Sequence, residues 1–303
     1  MINYTVIIPH YNFPDLLRRS LASIPHREDI QIIVVDDCSC EEVQIELKEI
    51  ETQFPYAQFV YSDKNKGGGH ARNVGLAHAV GKYLLFLDAD DFFHDNINAF
   101  LDDYKHEECD VVFFNSDSVY SSSGKPMNRP NKYNGYASSY ISGKDPTALQ
   151  LRFLNVVPWG KMVKKELIDS HCIRFDEVYA IDDVTFSYLV GYYAKNIKVD
   201  DRVVYCKTCR PDSVTQFESY NWNLTQMEVL SRKNRFMRTH HIPVFDQGML
   251  CPIRFGLKGR NWNQLDVFFS IAKQYGFSKM LILYLLAKQS IKCRIRKFLP
   301  GSI

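Results

Sequence analysis

The sequence predicts an α/β fold in which a mainly parallel β-sheet is flanked by helices and followed by a helical C-terminal extension. Between residue 4 and about residue 120, strand-like apolar runs alternate with helix-like runs. The strand-like runs, such as "YTVIIP", "IQIIVV" and "KYLLFLD", are continuously apolar, which is typical of parallel strands covered on both faces. Beyond about residue 215 the pattern becomes mostly helical.

Each predicted element has a local signal. The first helix, "PDLLRRSLASI", places Leu17, Leu21 and Ile24 on one face, and a Glu-rich helical stretch follows the second strand. "QFVYS" predicts a third strand, "HARNVGLAHAV" the next helix, and "DVVFFN" a later strand. Residues 121–136 are polar and rich in turn formers, so we expect a loop or linker there.

Composition limits the function classes. The chain has 303 residues, of which 46% are hydrophobic, as in globular proteins. Its 37 basic and 35 acidic residues give a net charge of +2, which provides no bulk attraction for nucleic acid. The N-terminal stretch lacks the pattern of a signal peptide, so we expect a cytoplasmic protein with reduced cysteines. Cys206 and Cys209 form one CxxC, but no second pair with matching spacing completes a zinc site.

Polar residues follow four consecutive predicted strands. Carboxyl ends of parallel strands meet at one edge of a sheet, where ligands of such folds bind. A single Asp after a strand is usually a helix cap, but four such ends together favour a site. The residues at these ends are Pro9, Tyr11 and Asn12; Asp36, Asp37 and Ser39; Asn65, Gly67, Gly68, Gly69, Arg72 and Asn73; and Asp88, Asp90 and Asp91.

The stretch "LLFLDADDFF" places three carboxylates within four positions, directly after a strand that is expected to be buried. These carboxylates repel one another unless a cation neutralises them. Hard oxygen ligands suit Mg²⁺ or Mn²⁺, which commonly bridge carboxylates to phosphates. The glycines at 67–69 allow close backbone approach to a ligand, and Arg72 supplies a cation for phosphate. The segment has neither a Walker ending nor GxGxxG spacing, so neither an ATPase nor an NAD site is favoured.

The segments "VIIPHYN", "IIVVDDCS" and "NKGGGHARNVGLAHAVGKYLLFLDADD" resemble, in order and separation, the N-terminal half of the family 2 glycosyltransferases, inverting enzymes of the GT-A (Rossmann-like) fold. The resemblance extends over roughly residues 3–215. It implies that Asp88 and Asp90 form a DxD motif, with Asp90 binding Mn²⁺ or Mg²⁺ on the diphosphate. It also implies a nucleotide-binding set, in which Tyr11 lies against the base and Asp37 accepts from it: Pro9, Tyr11, Asn12, Asp37, Asn65, Gly67, Arg72 and Asp88.

The second half carries fainter similarity. "RFDEVYAIDDVTFSYLV" resembles the stretch with the catalytic base, which implies Asp183 as the base and Asp182 as a cap or supporting residue. "VPWGKMVKKELI" resembles the start of the acceptor-binding part, where Trp159 either stacks on an acceptor sugar or packs in the core. "CRPDSVTQ" places Arg210 and Ser213 where relatives cover the diphosphate with a loop, and an incidental surface turn is the alternative.

We therefore expect three parts: 1–120 for nucleotide-sugar binding, 121–215 for acceptor binding and the base within the same GT-A domain, and 216–303 as a helical region. The tail at 280–298 combines an apolar run too short to span a bilayer with five cations within ten positions. It predicts either an amphipathic helix in peripheral contact with the inner face of the plasma membrane or a helix packed on the domain. The membrane interpretation is slightly favoured.

The leading hypothesis is an inverting, metal-dependent glycosyltransferase that moves a sugar from a nucleotide-sugar, most simply a UDP-sugar, to a glycan or lipid-linked saccharide acceptor in surface polysaccharide synthesis. A sugar-nucleotide nucleotidyltransferase also pairs a Rossmann-like sheet with metal-binding carboxylates, but it requires a Gly-rich basic loop where this chain has "PHYNFPD". A non-catalytic, Mg²⁺-binding receiver-like module ends near ~120 residues, and this chain continues.

Overall fold

The structure, a computed structural model, describes residues 1–127, 131–210 and 219–298, with side chains up to residue 289. It divides into two compact units. The first comprises Met1–Val178 and Asp182–Phe217, and the second comprises Tyr179–Ile181 and Glu218–Ile303. The strands all lie in the first unit as far as the chain is described.

The first unit alternates strands and helices through most of its length. In chain order its described elements are β1 (Tyr4–His10), α1 (Pro14–Ala22), β2 (Ile30–Asp36), α2 (Glu41–Gln53), β3 (Ala57–Tyr61), α3 (Gly68–His78), β4 (Tyr83–Phe86), β5 (Phe92–Phe93), α4 (Ile97–Tyr104), β6 (Val111–Tyr120), α5 (Lys132–Ile141), α6 (Leu149–Leu154), β7 (Lys161–Lys164), α7 (Lys165–Ser170), α8 (Asp183–Tyr193) and β8 (Ile197–Cys209).

The strands form one mixed sheet in the order β3-β2-β1-β4-β7-β6-β8-β5 within the described residues. β1 pairs in parallel with both β2 and β4, β2 with β3, and β6 with β8. β7 is antiparallel to β4 and β6, and β5 is antiparallel to β8. The predicted α/β class is confirmed, and the parallel half of the sheet is the half in which the strands are continuously apolar.

Alternate residues of the strands enter two cores, one on each face of the sheet. Val6 and Ile8 pack with α1, α2 and α4 on one face, whereas Ile7 packs with α3 and α8 on the other. The predicted α1 face is buried at Leu17, where burial of such an apolar side chain contributes about 1.5–3 kcal/mol. The sheet is therefore a rigid support for the loops at its edges.

One expectation is corrected. Residues 121–136 were predicted to be a loop or linker, but α5 begins at Lys132. The helix starts there because the Asn131 side chain accepts a hydrogen bond from the amide of Tyr133 and thereby caps it. Tyr133 and Tyr136 then pack against the two cores, so tertiary burial outweighs the local turn propensity.

The second unit is helical wherever it is described, with α9 (Tyr220–Thr239), a 3₁₀ helix (Gln247–Leu250), α10 (Cys251–Lys258), α11 (Trp262–Gln274) and α12 (Lys279–Phe298). Its core includes a buried ammonium, Lys233 Nζ, which lies 2.6 Å from Asp246 Oδ2. Within the described part of the chain, none of the helices has the length and apolar character that a membrane span requires.

Candidate active site

The carboxyl ends of β1, β2 and β4 lie side by side because these strands are parallel neighbours. The end of β2 is a closed hydrogen-bond network. Asp36 Oδ1 is 2.8 Å from His10 Nδ1 and accepts from Ser39 Oγ at 2.5 Å, and its Oδ2 accepts from the Ser39 amide. Burial acts to raise the pKa of Asp36, but these donors outweigh it and hold the pKa below its usual value. His10 holds Asp36 through this contact, and no sequence pattern indicates that the two residues meet.

Asp37 anchors the glycine-rich loop. Its buried carboxylate accepts from the amide of Lys66 at 3.1 Å and from the amide of Gly67 at 2.6 Å. Gly67 has φ = +91°, which an L side chain rarely adopts, and a Cβ at Gly69 would lie 2.0 Å from the carbonyl oxygen of Asp176. Gly67 and Gly69 are thus required for steric reasons. Contact between Asp37 and a nucleobase stays a prediction.

Tyr11 and Phe13 are exposed aromatic residues of this edge, with 46% and 45% of their surface accessible. Asn12 follows in the left-handed region and holds the loop after β2, since its Oδ1 accepts from the amide of Cys40 at 2.9 Å. Pro9 is half-buried and Asn65 is exposed. Among these predicted residues, Tyr11 presents the most ring surface to a ligand.

Three carboxylates, those of Asp88, Asp182 and Asp183, act on the buried Arg72, and Asp90 lies near Asp88. We call Asp88, Asp90, Asp182 and Asp183 the acid cluster. Arg72 joins two of them, because its Nη2 lies 2.7 Å from Asp88 Oδ1 and its Nη1 lies 2.7 Å from Asp182 Oδ2. The two carboxylates hold the pKa of Arg72 above its usual value despite its burial, so it stays charged. The loop after β4 and the start of α8 are thereby joined through one side chain.

Asp90 faces a second cation. Its Oδ2 lies 2.8 Å from Arg210 Nη2, and the guanidinium of Arg210 also stacks over the ring of Phe13 at 4.1 Å. Burial raises the pKa of Asp90, with a further contribution from the charge of Asp88. Ser213, predicted alongside Arg210, lies outside the described residues.

Asp91, the third acid of "DADD", is an anchor that was not predicted. It is buried, accepts from the hydroxyl of Tyr205 at 2.6 Å and accepts from the amide of Thr208 at 2.6 Å. Burial raises its pKa well above the usual value, with the charges of Asp90 and Asp88 adding to the effect. These bonds fix the loop after β4 to β8.

Trp159 packs in the core and not at the surface. Only 7% of its surface is accessible, and its ring stacks on Tyr205 at 5.0 Å with 14° between the planes. Of the two interpretations of Trp159, the geometry favours packing, because little of the ring remains accessible for an acceptor sugar. Its effect on the site passes through Tyr205, which holds Asp91.

Asp182 and Asp183 occupy the N-terminal end of α8. Asp182 has the N-cap position, but its side chain makes no capping hydrogen bond and pairs with Arg72. Burial raises the pKa of Asp183 to about 7, with the charge of Asp182 as the next contribution. A carboxyl group of this kind gains or releases a proton near neutral pH, as proton transfer requires.

The model of the family described as Glycosyl transferase family 2 matches residues 5–170, more than half of the chain. The chain belongs to glycosyl transferase family 2. This confirms the family resemblance of the sequence. The matched region contains Tyr11, Arg72 and the acids after β4, and it ends before Asp182, Asp183 and Arg210.

Relatives of this family 2 chain include the "Minor teichoic acid biosynthesis protein GgaB" of Bacillus subtilis, which is 31% identical over 186 residues. That match covers 58% of this chain but 19% of GgaB, so the chain spans a small part of that relative's length. The crystal structure of S. aureus TarS 1-349 in complex with UDP-GlcNAc superposes with a TM-score of 0.61 at 20% identity, covering 95% of this chain and 88% of that one.

A second solved structure is the mannosyltransferase PcManGT from Pyrobaculum calidifontis in complex with GDP-Man and Mn²⁺, with a TM-score of 0.53 at 17% identity. It covers 95% of this chain and 79% of that one. At these identities the structural matches bear on the fold. The predicted GT-A-like fold is confirmed.

Proposed function

We propose that this chain is an inverting, metal-dependent glycosyltransferase that moves a sugar from a UDP-sugar to a saccharide or lipid-linked acceptor of a bacterial surface polymer. The single observation that carries the proposal is the acid cluster. Arg72 bridges Asp88 and Asp182, with a nitrogen–oxygen distance of 2.7 Å to each. In this proposal Asp88 lies towards the sugar donor and Asp182 towards the acceptor. An in-line displacement requires a base at the acceptor hydroxyl and a metal-binding carboxylate at the leaving diphosphate, and one carboxylate cannot serve both ends.

The ligand atoms of the acid cluster suit a hard divalent cation. The acid cluster offers oxygen ligands alone, which Mg²⁺ and Mn²⁺ prefer. Its four carboxylates face two cations, Arg72 and Arg210, and burial together with the charge of Asp88 raises the pKa of Asp90. Asp90 would hold the metal, and Arg210 would turn from Asp90 toward the diphosphate. When bound, the metal would neutralise charge on the leaving diphosphate.

On the acceptor side, Asp183 is the proposed general base. The acceptor hydroxyl oxygen forms a bond to the anomeric carbon while the bond from that carbon to the diphosphate oxygen breaks. The hydroxyl proton passes to Asp183, and UDP leaves with the bonding electron pair. Because the attack comes from the face opposite the leaving group, the anomeric configuration inverts. A cation bound beside Asp88 would lower the pKa of Asp183 and favour its ionised form for this step.

The nucleotide would bind along the ends of β1 and β2, with its base against the exposed ring of Tyr11. UDP is the proposed nucleotide because the TarS structure, which holds UDP-GlcNAc, matches with a TM-score of 0.61, against 0.53 for the PcManGT structure with GDP-Man. Base stacking on an aromatic ring contributes about 1–3 kcal/mol. Tyr56 offers a control ring of similar exposure, 39% against 46% for Tyr11, at the amino end of β3 and thus at the opposite edge of the sheet.

The test is a thermal-shift and turnover assay with Mn²⁺. UDP with Mn²⁺ should raise the melting temperature, ATP with Mn²⁺ should not, and one UDP-sugar of a panel should be hydrolysed or transferred. Tyr11→Ala should weaken UDP binding while Tyr56→Ala leaves it unchanged. Equal stabilisation by ATP, or no response to any nucleotide with metal, would contradict the proposal.

We also propose that the chain acts on the cytoplasmic face of the membrane and contacts it through residues 280–298. Met280 and Tyr284 at the start of α12 are 77% and 61% exposed. Lys288 and the four cations after it in the sequence would bind anionic headgroups at about 1 kcal/mol each. Removal of residues 288–303 should abolish sedimentation with anionic vesicles but leave transfer to a soluble acceptor. Unchanged sedimentation would contradict this contact.

A further inference from the structure

A second group of metal-ligating side chains lies apart from the acid cluster. His94 directly follows β5, Asp117 lies in β6 and Cys206 lies in β8. One ligand atom from each residue lies within 4.8 Å of the other two. His94 Nε2 and Asp117 Oδ1 are 2.8 Å apart. We call these three residues the His-Asp-Cys cluster.

Strand register holds the three side chains together. Cys206 pairs with Phe92 on one side and with Asp117 on the other, so these residues share one face of the sheet. His94 lies two residues after Phe92 and returns to that face, because side chains alternate along a strand. Cys209 is three residues beyond Cys206 and lies on the opposite face. The CxxC pair therefore cannot bind one ion, whereas Cys206 finds its partners across the strands.

We propose that the His-Asp-Cys cluster is a Zn²⁺ site. Thiolate, imidazole and carboxylate are the three zinc ligand types, and a water would complete a tetrahedron. Ligand bonds of about 2.0–2.3 Å require donor atoms that are already within a few ångströms of each other, as these are. As the S–Zn bond forms, the Cys206 thiol proton is released to solvent. Binding therefore strengthens as the pH rises.

The ligand type separates this site from the acid cluster. Sulfur and nitrogen ligands favour Zn²⁺ over Mg²⁺, whereas the oxygen-only acid cluster favours Mg²⁺ or Mn²⁺. A large excess of Mg²⁺ should therefore not displace zinc from Cys206. This discrimination makes the proposal independent of the glycosyltransferase proposal.

The cluster is connected to the loop after β4. His94 stands three residues after Asp91, and Cys206 stands two residues before Thr208, whose amide donates to Asp91 at 2.6 Å. Zinc would therefore join the two segments that hold Asp91. We expect the ion to raise the melting temperature of the chain.

The test uses the full chain, freed of metal and kept reduced, titrated with Zn²⁺ and then with Co²⁺ in the presence of excess Mg²⁺. We expect one tightly bound Zn²⁺ per chain and, with Co²⁺, the absorption of a thiolate-to-cobalt charge transfer. His94 is partly exposed, so His94→Ala should not impair folding. The substitution should weaken zinc binding by more than about 100-fold, which exceeds the loss typical of residues that only contact a metal ligand.

Cys206→Ser should remove the cobalt absorption, and Cys209→Ser, the matched thiol on the opposite face, should retain it. Lowering the pH from 8 to 6 should weaken binding. The proposal is overturned if no zinc binds, if His94→Ala binds it as tightly as the unaltered chain, or if Cys209→Ser loses the absorption as well.

Discussion

Two Asp-Asp dipeptides of this chain look alike in sequence and differ in structure. Asp36 and Asp37, at the end of β2, accept hydrogen bonds from side chains and backbone amides, and the pKa of Asp36 lies below its usual value despite burial. At the start of α8, Asp182 pairs with Arg72, and burial raises the pKa of Asp183 to about 7. The number of hydrogen-bond donors that face each pair therefore distinguishes a pair that holds the structure together from a pair that is available for chemistry.

The acids after β4 show the same division within one loop. Asp91 is held by Tyr205 and Thr208 and fixes the loop, whereas Asp90 faces Arg210. Both carboxylate oxygens of Asp91 accept hydrogen bonds within the protein, so Asp91 has a structural role in this loop. By contrast, an acid that lies beside a second acid, with one cation between them, is stabilised in its charged form when another cation binds.

The largest expected effect is at Asp90. Asp90→Ala should nearly abolish metal-dependent sugar transfer, because the proposed metal loses its ligand on the donor side. The folded chain without metal should be about as stable, because removal of the repulsion with Asp88 offsets loss of the pair with Arg210. Initial rates with Mn²⁺ and urea unfolding of the same preparations measure the two effects. Ordinary turnover by Asp90→Ala would place the metal elsewhere.

Asp183→Asn should lower the rate constant of transfer by about 10²–10⁴, the usual contribution of a positioned base. Binding of UDP-sugar and metal should be retained, because the proposed donor ligands lie on other elements. Asp182→Asn is the matched control and should reduce the rate less, since Asp182 acts through Arg72. A normal rate for Asp183→Asn, or a defect confined to donor affinity, would remove Asp183 as the base.

Asp36→Asn tests the structural member of the comparison. The substitution keeps the shape but weakens bonds to a charged acceptor, which contribute about 1.5–3 kcal/mol each. We expect a loss of that order in the free energy of unfolding, measured with urea at pH 7.5. Asp183→Asn at the same pH should lose nothing. If Asp36→Asn is as stable as the unaltered chain, the network with His10 and Ser39 does not hold the end of β2.

The sequence was sufficient for the parallel half of the sheet, because β1, β2 and β4 are continuous apolar runs, and this part of the fold is confirmed. It did not predict β5, which has two residues, or β8, whose first half "IKVDDR" is charged. Asp88 and Asp90 were found from their position after an apolar strand, whereas the assignment of Asp183 as the base came from the family resemblance. The anchoring of Asp91 by Tyr205 was not predictable, because it depends on residues that are 114 positions apart.

The last comparison concerns how stability depends on pH, and the two dipeptides should differ in the sign of this dependence. The folded chain keeps a proton on Asp183 up to about pH 7, whereas the unfolded chain releases it near pH 4. Between these values the folded state binds more protons, so this group lowers stability as the pH rises. Asp183→Asn should therefore gain stability relative to the unaltered chain from pH 4 to pH 7 and level off above it.

Asp36 should behave in the opposite way. Its folded pKa lies below the usual value, so its stabilisation is complete above about pH 4 and is lost as the pH falls through the lower folded value. The deficit of Asp36→Asn should thus stay constant from pH 5 to pH 8, while the advantage of Asp183→Asn grows from pH 5 to about pH 7 and then stays level. Urea midpoints of both variants at unit pH steps measure the two curves. Parallel curves would mean that the two Asp-Asp pairs share one electrostatic environment, and the distinction between a structural pair and a chemical pair would fail.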